Sequence, residues 1–201
     1  MTFDILTVCT GNICRSPMAE QLLRAGLARW PEVTVSSAGT HALVGHAMTE
    51  QAQGLSLRLG GRRPEDHVAR DLDAHHVRDA DLVIAMAREH RRGVVELLPR
   101  ASRRTFTLRE FARLVADVTD EDLAGAAALE VTDRQGRFAE LVQVAASRRG
   151  LVVPPDNAAD DDVDDPYRRD STVYEASAAQ LAPAVEAIID TFVRAATIVQ
   201  R

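Results

Sequence analysis

Lysine is missing altogether: every one of the 24 basic residues is arginine. With the abundant Ala and Asp, this points to a GC-rich coding bias rather than to a basic surface selected for a partner. Positive charge is also in deficit. Asp and Glu number 30, giving a formal net charge of −6, so the chain lacks the electrostatic footprint of a nucleic-acid binder. No apolar run approaches the roughly 18 residues of a membrane-spanning helix. The first residues, Met1-Thr2-Phe3-Asp4, carry no basic n-region and no small-residue cleavage site, so no secretory signal is expected. Cysteine is scarce. Cys9 and Cys14 are the only two, which is no disulfide framework, and a reduced, cytoplasmic protein is expected.

What is present is an ordinary globular composition, with 46% hydrophobic and 27% charged residues. At about 150 residues per domain, the 201 residues predict one domain, or one domain with a large insertion. The short apolar run Phe3 to Val8 ends in Cys9-Thr10-Gly11-Asn12 and reads as a buried strand. Ala19, Leu22, Leu23, Gly26, Leu27 and Trp30 recur at helical spacing. This predicts a helix over Met18–Trp30, with Ser16 at its N-cap and Pro17 in its first turn. Further strands are expected at Val33–Ser37, Leu82–Met86 and Thr105–Leu108, and helices at Met48–Leu59 and Arg88–Leu98. That alternation predicts an α/β fold with a parallel sheet.

Residues 112–151 differ in being Ala-rich. Two helices are expected there, with Leu123, Ala127, Phe138, Leu141, Val142 and Ala145 facing inward. Pro154-Pro155 opens an acidic loop to Asp165. Ser171–Val199 closes the chain as a helix that Pro183 should kink or break.

The chemistry concentrates in Cys9-Thr10-Gly11-Asn12-Ile13-Cys14-Arg15-Ser16. A loop that wraps into a helix N-terminus aims several backbone N–H groups at one point, where the helix dipole adds positive potential. Such a point binds a phosphate-like oxyanion. Arg15 can grip two of its oxygens. The same potential favours thiolate over thiol at Cys9, since helix N-termini and nearby cations lower thiol pKa values. Ser16 can donate a hydrogen bond to that sulfur.

A phosphoryl-transferring thiolate also needs an acid for the departing oxygen. Asp165, in Asp165-Pro166-Tyr167, is the candidate. Asp164 competes, and Glu110, Asp117 and Asp120 stay open on chemistry alone. The run Asp160-Asp161-Asp162 reads as a solvated loop. Cys14 has two readings: a small packed side chain, or a thiol that captures oxidised Cys9 as a disulfide.

The segment Val8-Cys9-Thr10-Gly11-Asn12-Ile13-Cys14-Arg15-Ser16-Pro17-Met18-Ala19-Glu20 resembles the phosphate-binding loop of the low-molecular-weight protein tyrosine phosphatases. Ser36-Ser37-Ala38-Gly39-Thr40, His67-Val68-Ala69-Arg70 and Asp165-Pro166-Tyr167 are similar to further segments of that family, in the same order. The resemblance covers about residues 3–111 and 160–198. It implies a four-stranded parallel sheet flanked by helices, and hydrolysis of phosphotyrosine in proteins through a phosphocysteine. It implies Cys9 as nucleophile, Arg15 as phosphate clamp and Asp165 as acid and then base. Thr10, Gly11, Asn12, Ile13, Cys14, Ser16, Ser37 and His67 would line or support the loop, with Leu43 and Tyr167 as pocket walls.

The resemblance implies no cofactor, and no metal is expected, since His75-His76 and His90 have no ligand spacing. Two departures stand out. Residues 112–157 form a helical insertion before the Asp-Pro motif. Leu43 stands where many relatives carry an aromatic wall, and His41-Ala42-Leu43-Val44-Gly45 resembles the bacterial members paired with autophosphorylating tyrosine kinases of polysaccharide export.

Three other functions compete. Thioredoxin-coupled arsenate reductases of this fold use two further cysteines that this chain lacks, though a version using a low-molecular-weight thiol needs one. Protein arginine phosphatases resemble this loop with Thr in place of Ile13. A non-enzymatic phosphotyrosine-binding module would not need Cys9, Arg15, Ser16 and Asp165 together.

Overall fold

The computed structural model describes residues 2–199. Four parallel strands, β1 (Phe3–Cys9), β2 (Val33–Gly39), β3 (Leu82–Ala85) and β4 (Thr105–Thr107), lie in the order β2-β1-β3-β4. This is the four-stranded, helix-flanked sheet that the resemblance implied. In register, Cys9 lies beside Gly39. Gly39 has to be glycine: a Cβ there would come 2.4 Å from the Thr10 carbonyl oxygen. Ligands of open parallel sheets bind beyond the carboxyl ends of the strands, and Cys9 occupies that edge on a central strand.

Period-two alternation on β1 serves two cores. Phe3 and Ile5 face the larger one. It is built with α1 (Arg15–Gly26), α2 (Glu50–Arg58), α5 (Leu108–Ala116), α7 (Arg134–Arg148) and α8 (Ser171–Thr197). Leu6 and Val8 face a smaller core with Val77 and Val94, from α3 (Ala74–Asp79) and α4 (Arg88–Leu97). Among the described residues, no helix is long and apolar enough to cross a membrane.

Helix α1 starts one residue before its expected cap and stops before Trp30. Cys14 occupies the N-cap position without a side-chain cap. Ser16 lies inside the first turn because its hydroxyl is committed to Cys9 and Asn12. Trp30 has left the helix but stays buried, its ring edge-on to Phe138 at 5.5 Å.

The Ala-rich region holds more than the two expected helices. Helix α5 begins ahead of it, set by a capping box in which Thr107 and Glu110 exchange hydrogen bonds. A single turn, α6 (Ala124–Ala127), and α7 follow. Ala126, rather than Ala127, is the buried alanine of α6. The other expected inward residues, Leu123, Phe138, Leu141, Val142 and Ala145, are buried.

Phe138 meets Phe3 at 5.5 Å and Phe192 at 4.9 Å between ring centroids. Arg137, 1% exposed, donates to the carbonyls of Ala195, Ala196 and Ile198. It thereby satisfies acceptors that the end of α8 leaves orphaned.

Helix α8 runs through Pro183 without the expected break. Leu181, Ala184 and Val185 are all buried around it, and their packing outweighs the hydrogen bond that proline removes. Helix α3 was not expected. It is short, with Val77 its one buried residue, and a box of Asp73 and His76 starts it.

Candidate active site

The loop after β1 turns its carbonyls outward. Those of Cys9, Thr10, Gly11 and Ile13 accept from the backbone N–H groups of Thr40, His41, Leu43 and Thr49. The inner side is left to amides, and the Asn12 N–H reaches Cys9 Sγ at 3.3 Å. Asn12 takes the left-handed conformation (φ 54°) that curls the loop, a region which short polar side chains tolerate.

A directed hydrogen-bond chain fixes the nucleophile candidate. Arg70 N–H donates to Asn12 Oδ1, which orients the amide. Asn12 Nδ2 then donates to Ser16 Oγ at 2.9 Å and Ser37 Oγ at 2.8 Å. Ser37 donates its hydroxyl hydrogen bond to Glu20 Oε2 at 2.6 Å. Ser16, already accepting from Asn12, has its hydroxyl proton left for Cys9 Sγ, 3.0 Å away. His67 Nε2 lies 2.6 Å from the Asn12 carbonyl oxygen. All of these side chains are buried. Two donors, the Asn12 N–H and the Ser16 hydroxyl, thus converge on the Cys9 sulfur.

Arg15 spans the cleft from below. Its Nη1 donates to the Val163 carbonyl at 3.0 Å, and its Nη2 pairs with Asp165 Oδ2 at 2.9 Å. Asp165 stays half exposed at the mouth, and its other oxygen accepts from the Tyr167 N–H. Ile13, Leu43, His41 and Tyr167 wall the cleft.

Three of the four competing carboxylates are engaged elsewhere. Asp164 is paired with Gln180. Glu110 belongs to its capping box and to Arg149, and Asp120 to Arg194. Asp117 closes α5.

Sequence reasoning quoted Glu20 and Arg70 without giving them a role. Their signal is a glutamate next to the apolar positions Ala19, Leu22 and Leu23, and an arginine three residues after the matched histidine. It also set His90 aside. His90, on α4 and 2% exposed, places Nε2 at 2.8 Å from Thr10 Oγ1. Burial, with Arg15 nearby, lowers its pKa to about 3, so it is a neutral hydrogen-bond partner. Cys14 Sγ sits 3.5 Å from Thr49 Oγ1 and 3.6 Å from Tyr174 Oη. Burial raises its thiol pKa and pushes the Tyr174 phenol up to about 12. No group of three or more potential ligand side chains suited to a metal occurs among the described residues.

The family described as low molecular weight phosphotyrosine protein phosphatase has a model that matches residues 4–133. The chain is 38% identical over 105 residues to a low molecular weight protein-tyrosine-phosphatase, Ptp, of Acinetobacter johnsonii, an alignment covering 52% of this chain and 71% of that one. It is 39% identical over 124 residues to a protein-arginine-phosphatase of Geobacillus stearothermophilus, covering 62% and 78%. The crystal structure of the Erwinia amylovora tyrosine phosphatase AmsI superposes with a TM-score of 0.64 at 26% identity, over 94% of this chain and 93% of that one.

Proposed function

The chain belongs to the low molecular weight phosphotyrosine protein phosphatase family, and from that premise we propose that it hydrolyses phosphotyrosine in proteins. Cys9 Sγ attacks phosphorus to form a phosphocysteine. Arg15 and the loop amides hold the equatorial oxygens as charge redistributes onto them. Asp165 gives its proton to the departing tyrosine oxygen. It then takes a proton from the water that attacks the phosphocysteine, and Ser16 donates to the sulfur as it leaves. The observation that carries this reading is the convergence of Cys9, Ser16, Arg15 and Asp165. The sulfur is 3.0 Å from a hydroxyl, and the clamp is 2.9 Å from the acid.

The whole chain acts as one domain, 1–201, with 112–157 as its helical addition, and works in the cytoplasm. Its partner class is a phosphotyrosine protein, an autophosphorylating bacterial tyrosine kinase among them.

A second reading, phosphoarginine hydrolysis, is favoured by the arginine phosphatase among the relatives. Ile13 favours tyrosine instead: an apolar wall suits an aromatic ring and cannot hydrogen-bond a guanidino group. Rates on phosphotyrosine, phosphoserine, phosphoarginine and arsenate with a thiol donor, measured side by side, test the proposal. Phosphotyrosine should dominate, and Ile13→Thr should move the ratio toward phosphoarginine. Dominance of arsenate or phosphoarginine overturns it. Peroxide should inactivate Cys9 reversibly through a disulfide with Cys14, and Cys14→Ser should lose that recovery.

A further inference from the structure

Asp165 reaches the cleft at the end of an acidic segment that three arginines hold down. Arg113 of α5 grips the Asp161 carboxylate with both terminal nitrogens. Arg109, one turn earlier, donates to the Asp162 carbonyl at 3.1 Å. Arg88 takes the Asp162 carboxylate with its guanidinium and donates its backbone N–H at 2.7 Å. Helix α4 has no side-chain cap of its own, since its N-cap is Ala87. Asp162 therefore caps it from the distant segment. Val163 follows, its side chain 1% exposed and its N–H donating to the Met86 carbonyl at 2.8 Å, just past the end of β3. The Val163 carbonyl is the acceptor of Arg15.

Resting on the phosphatase reading above, we infer that Arg113 and Arg109 are positioning residues. With Asp161 they form an ion-paired latch that sets where the Asp165 carboxyl meets the leaving oxygen.

The physical case is one of chain length. The segment before Asp165 arrives from α7 through an exposed stretch that includes Leu151, Val153 and Pro154. Such a stretch leaves the register of the acid free. General acid catalysis needs the donor within roughly 2.6–3.2 Å of the oxygen it protonates, and misplacement of about 1 Å can cost 10²-fold. The latch fixes residues 161–163 against two helices and β3, only two residues ahead of the acid. Because Asp161 and Arg113 are both partly buried, salt screens their attraction less than that of an exposed pair.

The test is leaving-group dependence. Arg113→Gln, Asp161→Asn and the swapped pair Arg113→Asp/Asp161→Arg are assayed on phosphotyrosine, whose phenolate leaves poorly without a proton, and on p-nitrophenyl phosphate, whose phenolate leaves readily. Asp165→Asn runs beside them. Each single variant should lose about tenfold in kcat/KM on phosphotyrosine, which reports the step that expels the leaving oxygen and not the later attack of water that both substrates share, part of the 10²–10⁴ that a general acid supplies. The loss in kcat/KM on p-nitrophenyl phosphate should stay under about twofold, and the swap should recover most of the loss on phosphotyrosine. An equal loss on both substrates would mean that the contacts merely hold the fold, and overturns the latch. So does no loss on either. If Asp165→Asn shows leaving-group dependence and the latch variants do not, only the latch fails. If Asp165→Asn shows none, the acid assignment fails and the latch falls with it.

Discussion

The phosphate loop and the acidic strap meet at Arg15, yet they are built in opposite ways. The loop is local. Cys9, Asn12 and Ser16 lie within eight residues of one another, and the strand and helix on either side aim them. The strap is assembled from afar. Asp162 caps α4 and Asp161 is held by α5, although both belong to a stretch that composition alone reads as solvent-facing. Cys9 and Arg15 can therefore be fixed by one turn of chain, whereas the placement of Asp165 depends on contacts spread over the molecule.

The sharpest break of that comparison is Cys9→Ser. Turnover should vanish while inorganic phosphate still binds, because the cradle is backbone plus Arg15. Calorimetric titration with phosphate beside a turnover assay checks both halves. Retained hydrolysis would remove Cys9 from the nucleophile's role. Arg15→Ala should weaken binding and kcat together, since its contacts serve ground and transition states alike.

Next in size is the acid. Asp165→Ala should lower kcat on phosphotyrosine by about 10²-fold or more, and Asp164→Ala should change it little. Asp164 spends its carboxylate on Gln180, away from Arg15. A larger loss at Asp164 would move the acid by one residue and break the strap's register argument.

The contrast also explains what was legible in the chain. The convergence of Cys9, Asn12 and Ser16 could be read because a tight strand-to-helix turn is local, with its spacing fixed in the sequence. The sheet followed from strands alternating with helices. His67 would have passed as an ordinary histidine without the family, because its acceptor, the Asn12 carbonyl, lies 55 residues away. Asp161 and Asp162 were misjudged for the same reason: the arginines that pair with them sit on α4 and α5, where each looks like any exposed helical arginine, whereas Asp160 is exposed as expected. Ser16 was misplaced as a cap because a serine hydroxyl serves equally to cap a helix or to reach the Cys9 sulfur. Pro183 was overweighted, since local propensity says nothing of the core packed around it.

The helical addition offers a further contrast with the loop. If residues 112–157 merely decorated the fold, their core contacts would matter little. Phe138, on α7, instead fills the space between Phe3, Trp30 and Phe192. Phe138→Ala should cost about 3–5 kcal/mol of stability, read by urea unfolding, while the folded fraction keeps its kcat. A loss under about 1 kcal/mol would make the addition dispensable.

The smallest effect lies with His90, which joins the two regions through Thr10 on one side and the Arg88 end of α4 on the other. Its folded pKa of about 3 lies below the ordinary 6.5, first through burial and then through Arg15, with Asp162 pulling the other way. Above pH 6.5 both the folded and unfolded forms carry a neutral ring, and His90 makes no difference to the balance between them. As pH falls below 6.5 the unfolded chain takes up a proton that the folded one refuses. Stability then drains by about 1.4 kcal/mol per pH unit until the folded ring protonates near pH 3. Carboxylates add their own slope in the same range, so the comparison is with His90→Gln, whose amide can keep the Thr10 contact. Unfolding free energies from pH 7 to pH 4.5 should fall less steeply in His90→Gln, by close to one proton's worth, whatever the offset at pH 7. Parallel curves would mean that His90 already protonates in the fold and that its contact with Thr10 opens as it does so.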